Sequence, residues 1–292
     1  QAVADGTYEA CGLDVEIVAG GPQVNNRALL LAGKLQFHMG GNLIQAYSAV
    51  EQGIPLKVVA AHFQKEPQVI MTHPGQGLDT WSSLKDIDLL LGDEGFQSFF
   101  QWMIPAYGFR VEQPYTFNSA PFLADPRVGQ QGYVTSEPFA IETQGGFKPN
   151  IFLIADYGFD TYATTVEVMQ KTLDEMPEAV QCFVDGSAIG WYTYLYGDPS
   201  AADAVIRAAN PDMSEEQLAF TRDKLREYGI VDSGEALELG IGAMTDARFK
   251  SFYGKMVDAD VLPDGIDISR AYTLDFVNKG VGLDLKKKLT GQ

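Results

Sequence analysis

Strand-like and helix-like segments alternate along the first third of this 292-residue chain. Residues 13–18 alternate apolar and polar side chains, as a half-buried strand does, and residues 35–39 and 56–61 are also predicted to be strands. Short helices are predicted between them, at 25–32 and 43–52. Strands that alternate with helices usually pair in parallel through right-handed crossovers. The pattern therefore predicts an α/β fold with mainly parallel sheets flanked by helices.

The same pattern starts again near residue 67 and gives way to helices after residue 165. Strands are predicted at 69–72, 88–91, 130–135 and 151–155, and helices at 96–107, 137–143, 166–176, 177–196, 214–228 and 246–258. We therefore predict two lobes: residues 1–66 and 161–292 form the first, and residues 67–160 are inserted as the second. The chain opens on what reads as the end of a helix, so the first strand of this lobe is expected roughly 20–40 residues upstream.

The charge of the chain excludes several kinds of partner. The formal net charge is −18, which repels nucleic-acid phosphates and anionic lipid surfaces. No apolar run approaches the roughly 18 residues that a membrane span needs. The two cysteines, Cys11 and Cys182, belong to no CxxC pair. A disulfide between them stays open, but two separate buried thiols are the favoured interpretation.

No motif for catalysis, metal binding or cofactor binding is present in the sequence. The three histidines, His38, His62 and His73, form no HExxH or HxH pattern. A GxSxG elbow, a phosphate-binding P-loop and a GxGxxG fingerprint are all missing. We therefore predict no catalytic residues, no metal and no cofactor.

Polar loops follow several predicted strands and lead directly into helices. Asn42 ends one such loop, Glu94 and Gly95 lie in a second, and Ser136 and Glu137 lie in a third. Ligands of open α/β sheets bind beyond the carboxyl ends of the strands, where helix starts offer unpaired N–H donors. The alternative is that these side chains only cap their helices.

Aromatic and acidic residues accompany these loops, whereas lysine and arginine do not occur within them. Aromatic faces with carboxylates suit a flat apolar or amine-bearing heterocycle, although core packing could claim half of the rings. The predicted ligand-binding residues are Asn42, His62, Phe63, Glu94, Gly95, Phe96, Asn118, Phe122, Tyr133, Ser136, Glu137, Asp156, Tyr157 and Tyr162.

Four segments of the sequence resemble a known family. Residues 35–42 with 52–60 resemble the type II periplasmic binding fold, residues 132–140 resemble its second-lobe cleft segment, and residues 156–165 resemble its return crossing. The chain is most similar to ABC-transporter substrate-binding proteins that bind thiamine-pyrimidine precursors, a group that includes sulfonate, taurine and nitrate binders. The likeness covers nearly the whole chain.

The resemblance implies a function and partners. It implies the solute-binding component of an ABC importer, a periplasmic or otherwise extracytoplasmic monomer, secreted or lipid-anchored, that closes about a hinge over a small molecule and is recognised by the importer's membrane subunits. By the same resemblance, Glu137 is expected to face an aminopyrimidine, with Asn42 contributing from the first lobe and Glu94 and Gly95 at the rim of the second.

Two alternatives remain at this stage. One is a binder of a sulfonate or another small anion. The other is an enzyme of the same fold, similar to the pyrimidine synthases or to the chorismate dehydratases; the cysteine-rich motif of the synthases is missing here.

Overall fold

The chain divides into two compact units. The computed structural model describes residues 1–20, 24–109 and 112–291, without the side chains of Glu94, Glu112 and Gln113. Unit 1 comprises Gln1–Lys65, Thr161–Lys250 and Gly265–Gln292, and unit 2 comprises Glu66–Asp160 and Ser251–Asp264. The sequence analysis had assigned the last of these segments to the first lobe, whereas it packs with the second unit.

The structure contains both strands and helices throughout the described residues. The strands are β1 His38–Asn42, β2 Leu56–Phe63, β3 Gln68–Thr72, β4 Leu89–Leu91, β5 Glu112–Pro114, β6 Gly129–Tyr133, β7 Asn150–Leu153 and β8 Ala163–Met169. The α-helices are α1 Asn26–Leu31, α2 Leu43–Glu51, α3 Asp93–Gly95, α4 Gln101–Tyr107, α5 Ala120–Ala124, α6 Glu137–Gly145, α7 Gln170–Glu175, α8 Pro177–Tyr196, α9 Ser200–Ala209, α10 Glu215–Glu227, α11 Ala236–Leu239, α12 Asp246–Asp258 and α13 Leu283–Thr290. The α/β class predicted from the sequence is confirmed.

The sheet of unit 1 has the strand order β1-β8-β2, and β8 pairs antiparallel with both neighbours. The prediction of a mainly parallel sheet is therefore wrong for these strands. The prediction of a helix at residues 166–176 is wrong for its first four residues, which belong to β8, whereas Gln170–Glu175 form α7 as predicted. The β-branched residues of β8 favour a strand, but Glu167 in their midst reads as a solvent-facing helical position. In the structure this carboxylate is buried in an ion pair with Arg27.

Residues 13–18, predicted to be a strand, form none in the structure. Leu13 and Val15 are half-buried, whereas Ile17 is 69% exposed. An alternating pattern indicates that one face of a segment is buried. It does not show that a neighbouring strand is present to form the backbone hydrogen bonds of a sheet. The burial alternation is therefore present at the start of this segment without the strand.

Unit 2 holds a mixed five-stranded sheet with the order β5-β4-β6-β3-β7. Strand β4 pairs in parallel with β5 and β6, as predicted, and β3 runs antiparallel to β6 and β7. Because β3 alone is reversed, the other four strands all point the same way. An aromatic cluster around Trp81 packs within this unit and includes Tyr107, Phe109 and Phe152.

The cysteines form a disulfide, which corrects the expectation of two separate thiols. Cys11 and Cys182 have Cα atoms 5.9 Å apart and are bonded to each other. The pairing follows from the packing of the first residues against α8: the Tyr8 ring stacks on Phe183, and its hydroxyl lies 2.8 Å from that of Ser187. Gly186 provides the room for the Tyr8 ring. Cysteines 171 positions apart carry no local sign of such packing.

Most helices lie where the sequence places them. Helices α1, α2, α8 and α12 match their predicted ranges to within a few residues, and α10 begins after Ser214, whose hydroxyl accepts from the Gln217 amide at 3.1 Å. Over the described residues, no helix combines the length and apolar character required to cross a membrane.

Candidate functional site

One edge of the unit 2 sheet collects the ends of four strands. Strands β4, β5, β6 and β7 run in the same direction, so the residues that follow them lie along a common edge. We call this edge, with residues 92–96, 115–118, 133–137 and 154–157, the unit 2 edge. Most of the predicted unit 2 residues lie there because open sheets place loop side chains beyond their carboxyl ends.

A buried glutamine organises the first loop of the unit 2 edge. The Gln131 side chain accepts from the Gly92 amide at 2.8 Å and donates to the Gln68 side chain at 3.0 Å. A Cβ atom at Gly95 would overlap the Gln131 amide, so any larger residue there must displace the Gln131 side chain. The sequence analysis predicted Gly95 but missed Gln131 and Gln68. The available signal was a pair of glutamines, at 130 and 131, in an otherwise buried strand.

The third loop of the unit 2 edge is closed by Glu137. Its Oε2 accepts from the Tyr133 amide at 2.7 Å and from the Ser136 hydroxyl. Ser136 is the N-cap residue of α6, but its side chain makes no cap hydrogen bond, so the capping alternative is not found at this loop. No group of the described residues donates to Oε1, so the carboxylate keeps one acceptor atom for a ligand.

Two exposed aromatic rings lie on the unit 2 edge. Phe117 is 48% exposed and Tyr133 is 44% exposed. Phe117 has a positive φ of 60°, which a bulky residue adopts only where its surroundings hold it. Its neighbour Asn118 is exposed and caps the next turn by accepting from the Ala120 amide at 3.0 Å. The edge therefore presents flat apolar surfaces beside the Glu137 carboxylate of the same unit.

The fourth loop of the unit 2 edge contributes Asp156 and Tyr157. Asp156 is exposed, whereas the Tyr157 ring stacks on Trp81 with centroids 4.1 Å apart. Burial raises the pKa of Tyr157, so its hydroxyl stays neutral at neutral pH. One face of the Tyr157 ring is covered by Trp81, so that face cannot stack on a ligand.

The remaining unit 2 residues include one correction. Phe122 is fully buried and packs on His73, which follows the opposite end of β3, so this predicted ligand contact is a core residue. Phe96 is half-buried, 5.9 Å from Phe100, in a π-helical turn that joins α3 to α4. The side chain of Glu94 lies outside the described part of the structure.

The predicted unit 1 residues also meet at one sheet edge, and we call Asn42, His62, Phe63 and Tyr162 together the unit 1 edge. Strands β1 and β2 are both antiparallel to β8, so Asn42 and Phe63 both pair with Ala163. Asn42 is buried and its Oδ1 accepts from the Ile44 amide at 3.1 Å, while the Thr161 hydroxyl accepts from the Leu43 amide. These bonds satisfy the first turn of α2, so Asn42 acts as a helix cap.

His62 is the least satisfied polar side chain at the unit 1 edge. It is fully buried, and neither ring nitrogen has a hydrogen-bond partner among the described residues. The ring meets Trp191 edge-on with centroids 6.3 Å apart, and Trp191 also contacts Phe63 at 5.8 Å. Burial lowers the pKa of His62 to about 4, so the ring is neutral at neutral pH.

Tyr162 is fully buried within unit 1, which argues against its predicted contact with a ligand. Its hydroxyl accepts from the Thr245 amide at 3.1 Å and donates to Glu235 at 3.3 Å. The Arg248 guanidinium lies 4.2 Å above the ring and donates to the carbonyl oxygen of Gln64. Burial raises the pKa of Tyr162 to about 12. This network fastens the strand ends of the unit 1 edge.

Among the described residues, no three His, Cys, Asp or Glu side chains come together to hold a metal ion.

A protein-family model described as NMT1/THI5 like matches residues 1–202 of the chain. The chain belongs to the NMT1/THI5-like family. This membership confirms the family resemblance that the sequence shows. No curated protein is similar enough in sequence to be matched with this NMT1/THI5-like chain.

Solved structures with a similar fold include binding proteins and an enzyme. The ligand-binding component of an ABC-type import system from Staphylococcus aureus is 12% identical, with a TM-score of 0.66, over 97% of this chain and 96% of that one. The periplasmic aliphatic sulphonate-binding protein SsuA of Escherichia coli is 12% identical, with a TM-score of 0.57, over 92% and 88%. The desulfurization enzyme DSZB is 12% identical, with a TM-score of 0.57, over 96% and 94%. At this identity the likeness shows the fold of this NMT1/THI5-like protein.

Proposed function

We propose that this chain is the solute-binding component of an ABC importer, with no catalytic activity of its own. The fold is shared with the ligand-binding component of an ABC-type import system and with a periplasmic sulphonate-binding protein. The residues at both sheet edges supply hydrogen-bond acceptors and rings. The expected partners are one small molecule and the membrane subunits of the importer.

We propose further that the solute is a flat aromatic or amine-bearing molecule. The observation that carries this proposal is the unit 2 edge, where the exposed rings of Phe117 and Tyr133 accompany the Glu137 carboxylate. Rings offer stacking surfaces, and Oε1 of Glu137 offers a charged acceptor to an exocyclic amine. A thiamine-pyrimidine precursor has both features.

A sulfonate is the second candidate. One observation favours it: the helix that begins at Asp93 has Gly92 as its N-cap residue, which has no side chain to cap the helix. Such a start can bind a sulfonate oxygen. The acidic residues at 93 and 94 count against it because they place negative charge at the same helix start.

An enzyme remains the third candidate because the desulfurization enzyme DSZB shares the fold. A purified protein that converts a bound solute to product would establish that reading. Solute that is recovered unchanged after prolonged incubation supports the binding function.

An extracytoplasmic location follows from the same proposal. The Cys11–Cys182 disulfide is a bond that oxidising compartments maintain and reducing cytosol does not. Recovery of the oxidised form from an extracytoplasmic fraction, and of little protein from the cytosol, tests this location.

The test of the solute class is a thermal-shift panel followed by calorimetry. The panel contains aminopyrimidine precursors of thiamine, nucleobases and alkanesulfonates, because a ligand that binds only the folded state raises the unfolding midpoint. We expect an aminopyrimidine to give the largest shift. A shift with alkanesulfonates alone would transfer the assignment to the second candidate.

The Glu137→Gln variant tests the role of the carboxylate. Glutamine keeps an oxygen that can accept from the Tyr133 amide but loses the charge, so we expect an amine-bearing solute to bind about 1–3 kcal/mol more weakly by calorimetry. Glu142→Gln, on the same helix α6, is the matched control and should bind normally. Equal affinities for Glu137→Gln and the wild type would remove Glu137 from the site. Calorimetry of a Phe63→Ala variant tests in the same way whether this unit 1 residue contributes to solute binding.

A further inference from the structure

A small cavity opens at the end of the unit 1 sheet opposite the predicted ligand residues. Its volume is about 200 Å³, and it is lined where β2 begins and β8 ends, close to the paired residues Leu56 and Met169. The predicted ligand residues of unit 1 lie at the other end of the same strands, beside Ala163. The cavity is therefore separate from the unit 1 edge.

The floor and rim of this cavity differ in chemistry. Val50, Ile54 and Leu56 provide an apolar floor, and Leu56 and Ile54 belong to a cluster packed around Leu30 and Ala49. The rim carries the polar side chains of Lys57, Gln170 and Arg270.

Both cations on the rim lack a carboxylate partner within the described residues. The Lys57 amine donates to the Tyr272 carbonyl at 3.3 Å, which fixes its position beside the cavity. The third polar rim residue, Gln170, donates its side-chain amide to Asp174 at 2.9 Å, and Asp174 does not line the cavity. In a chain of net charge −18, carboxylates are plentiful, and other cations such as Arg222 and Lys286 are paired with them.

We propose that this cavity binds a short-chain aliphatic carboxylate. Lysine and arginine together are the side chains that bind oxyanions, and the two uncompensated cations select a negative ligand. The volume accommodates a carboxylate with a few carbon atoms. The apolar floor accepts the aliphatic chain, which inorganic anions lack. The site goes beyond the proposed function, since it uses none of the residues assigned to solute binding.

Butyrate, acetate and inorganic phosphate are the probes. Each is titrated at low ionic strength into the wild-type protein while backbone amide chemical shifts at Lys57 and Gln170 are followed by NMR, because salt screens exposed cations. We expect saturable shifts with butyrate and weaker binding of acetate, by about fourfold for each methylene that the floor buries. Phosphate that binds more tightly than butyrate would overturn the carboxylate assignment, as would the lack of any saturable shift.

Variants locate the binding to the cavity. Lys57→Met keeps the aliphatic stem and removes the charge, and Arg270→Ala removes the second cation; each should weaken butyrate about tenfold. The controls Lys34→Ala and Lys288→Ala each remove one positive charge from an exposed position and should bind butyrate like the wild type. If butyrate binding weakens equally in the controls, the effect comes from net charge alone and the proposed site is refuted. Unchanged affinity for the solute in the cavity variants separates this proposal from the proposed function.

Discussion

The pKa of His62 links one buried ring to the stability of unit 1. Its value in the folded protein is about 4, against an ordinary 6.5, because burial opposes the charged form. Between these values the unfolded chain binds a proton here and the folded protein does not. The free energy of unfolding therefore falls as the pH drops through this window, by about 3 kcal/mol in total.

The His62→Leu variant should remove this contribution. Urea unfolding at neutral pH and at about pH 4 measures the loss of stability in the wild type and in the variant. We expect the variant to lose about 3 kcal/mol less than the wild type between the two conditions. Phe63→Leu, at the adjacent position, is the control and should lose as much as the wild type. If His62→Leu loses as much unfolding free energy as the wild type between the two pH values, the His62 ring does not titrate in this way.

Gly95 is expected to tolerate no side chain. A Cβ atom there meets the Gln131 amide, so Gly95→Ala must displace the group that binds the Gly92 amide and Gln68. We expect a loss of about 1–3 kcal/mol in thermal or urea unfolding. Gly254 in α12 has open space around its Cβ position, and Gly254→Ala should leave stability unchanged or raise it by up to about 1 kcal/mol. Equal behaviour of the two variants would contradict this account of Gly95.

At the scale of elements, the central strand of unit 1 is held by a buried ion pair. Glu167 on β8 has a fully buried side chain, and Arg27 on α1 donates to both of its carboxylate oxygens, at 3.0 and 3.3 Å. His38 on β1 lies 3.1 Å from the same carboxylate. One side chain on β8 thus joins a helix and the neighbouring strand to the sheet.

The Arg27→Met variant should destabilise unit 1 by about 2 kcal/mol, since it leaves the buried Glu167 carboxylate with only His38 beside it. Arg27 is partly exposed, which keeps the expected loss below that of a fully buried pair. The double variant Arg27→Met/Glu167→Met should recover part of that stability in urea unfolding. If the double variant loses as much unfolding free energy as the two single variants lose together, or more, the two side chains do not stabilise each other.

The elements that the sequence predicts well are helices whose ends carry a capping residue, a proline or a glycine. Pro177 marks the start of α8, Ser214 caps α10 and Gly53 follows α2, and each signal acts within one or two helical turns. Strand β8 was missed because its burial depends on α1 and β1, which lie more than a hundred positions earlier. A charge compensated by a distant residue looks, in sequence, like a charge that faces water.

At the scale of the whole molecule, the disulfide closes the longest covalent loop of the chain. Cys11 and Cys182 are 171 positions apart, and a cross-link of this span restricts the unfolded chain strongly. We expect Cys11→Ser/Cys182→Ser to lose about 3–5 kcal/mol of unfolding free energy relative to the oxidised wild type. Reductant should lower the stability of the wild type and leave the double variant unchanged. A wild type indifferent to reductant would refute the contribution of the disulfide.

The candidate site was predictable in outline and not in detail. That ligand residues follow strand ends is a general property of α/β sheets, and it placed Gly95, Ser136, Glu137 and Asp156 on a common edge of unit 2. Which aromatic rings stay exposed depends on packing, so Phe122 was assigned to the ligand although it is in the core. Gln131 was missed because its importance comes from hydrogen bonds to residues far away in sequence.

Strand β8 aligns the carboxyl ends of β1 and β2 on its own first residue, Ala163. Three chain segments therefore end in a single row, and most side chains of the strand that sets their alignment are buried. A substitution at one position of that row can change its chemistry while the strand pairing that holds the other two stays in place.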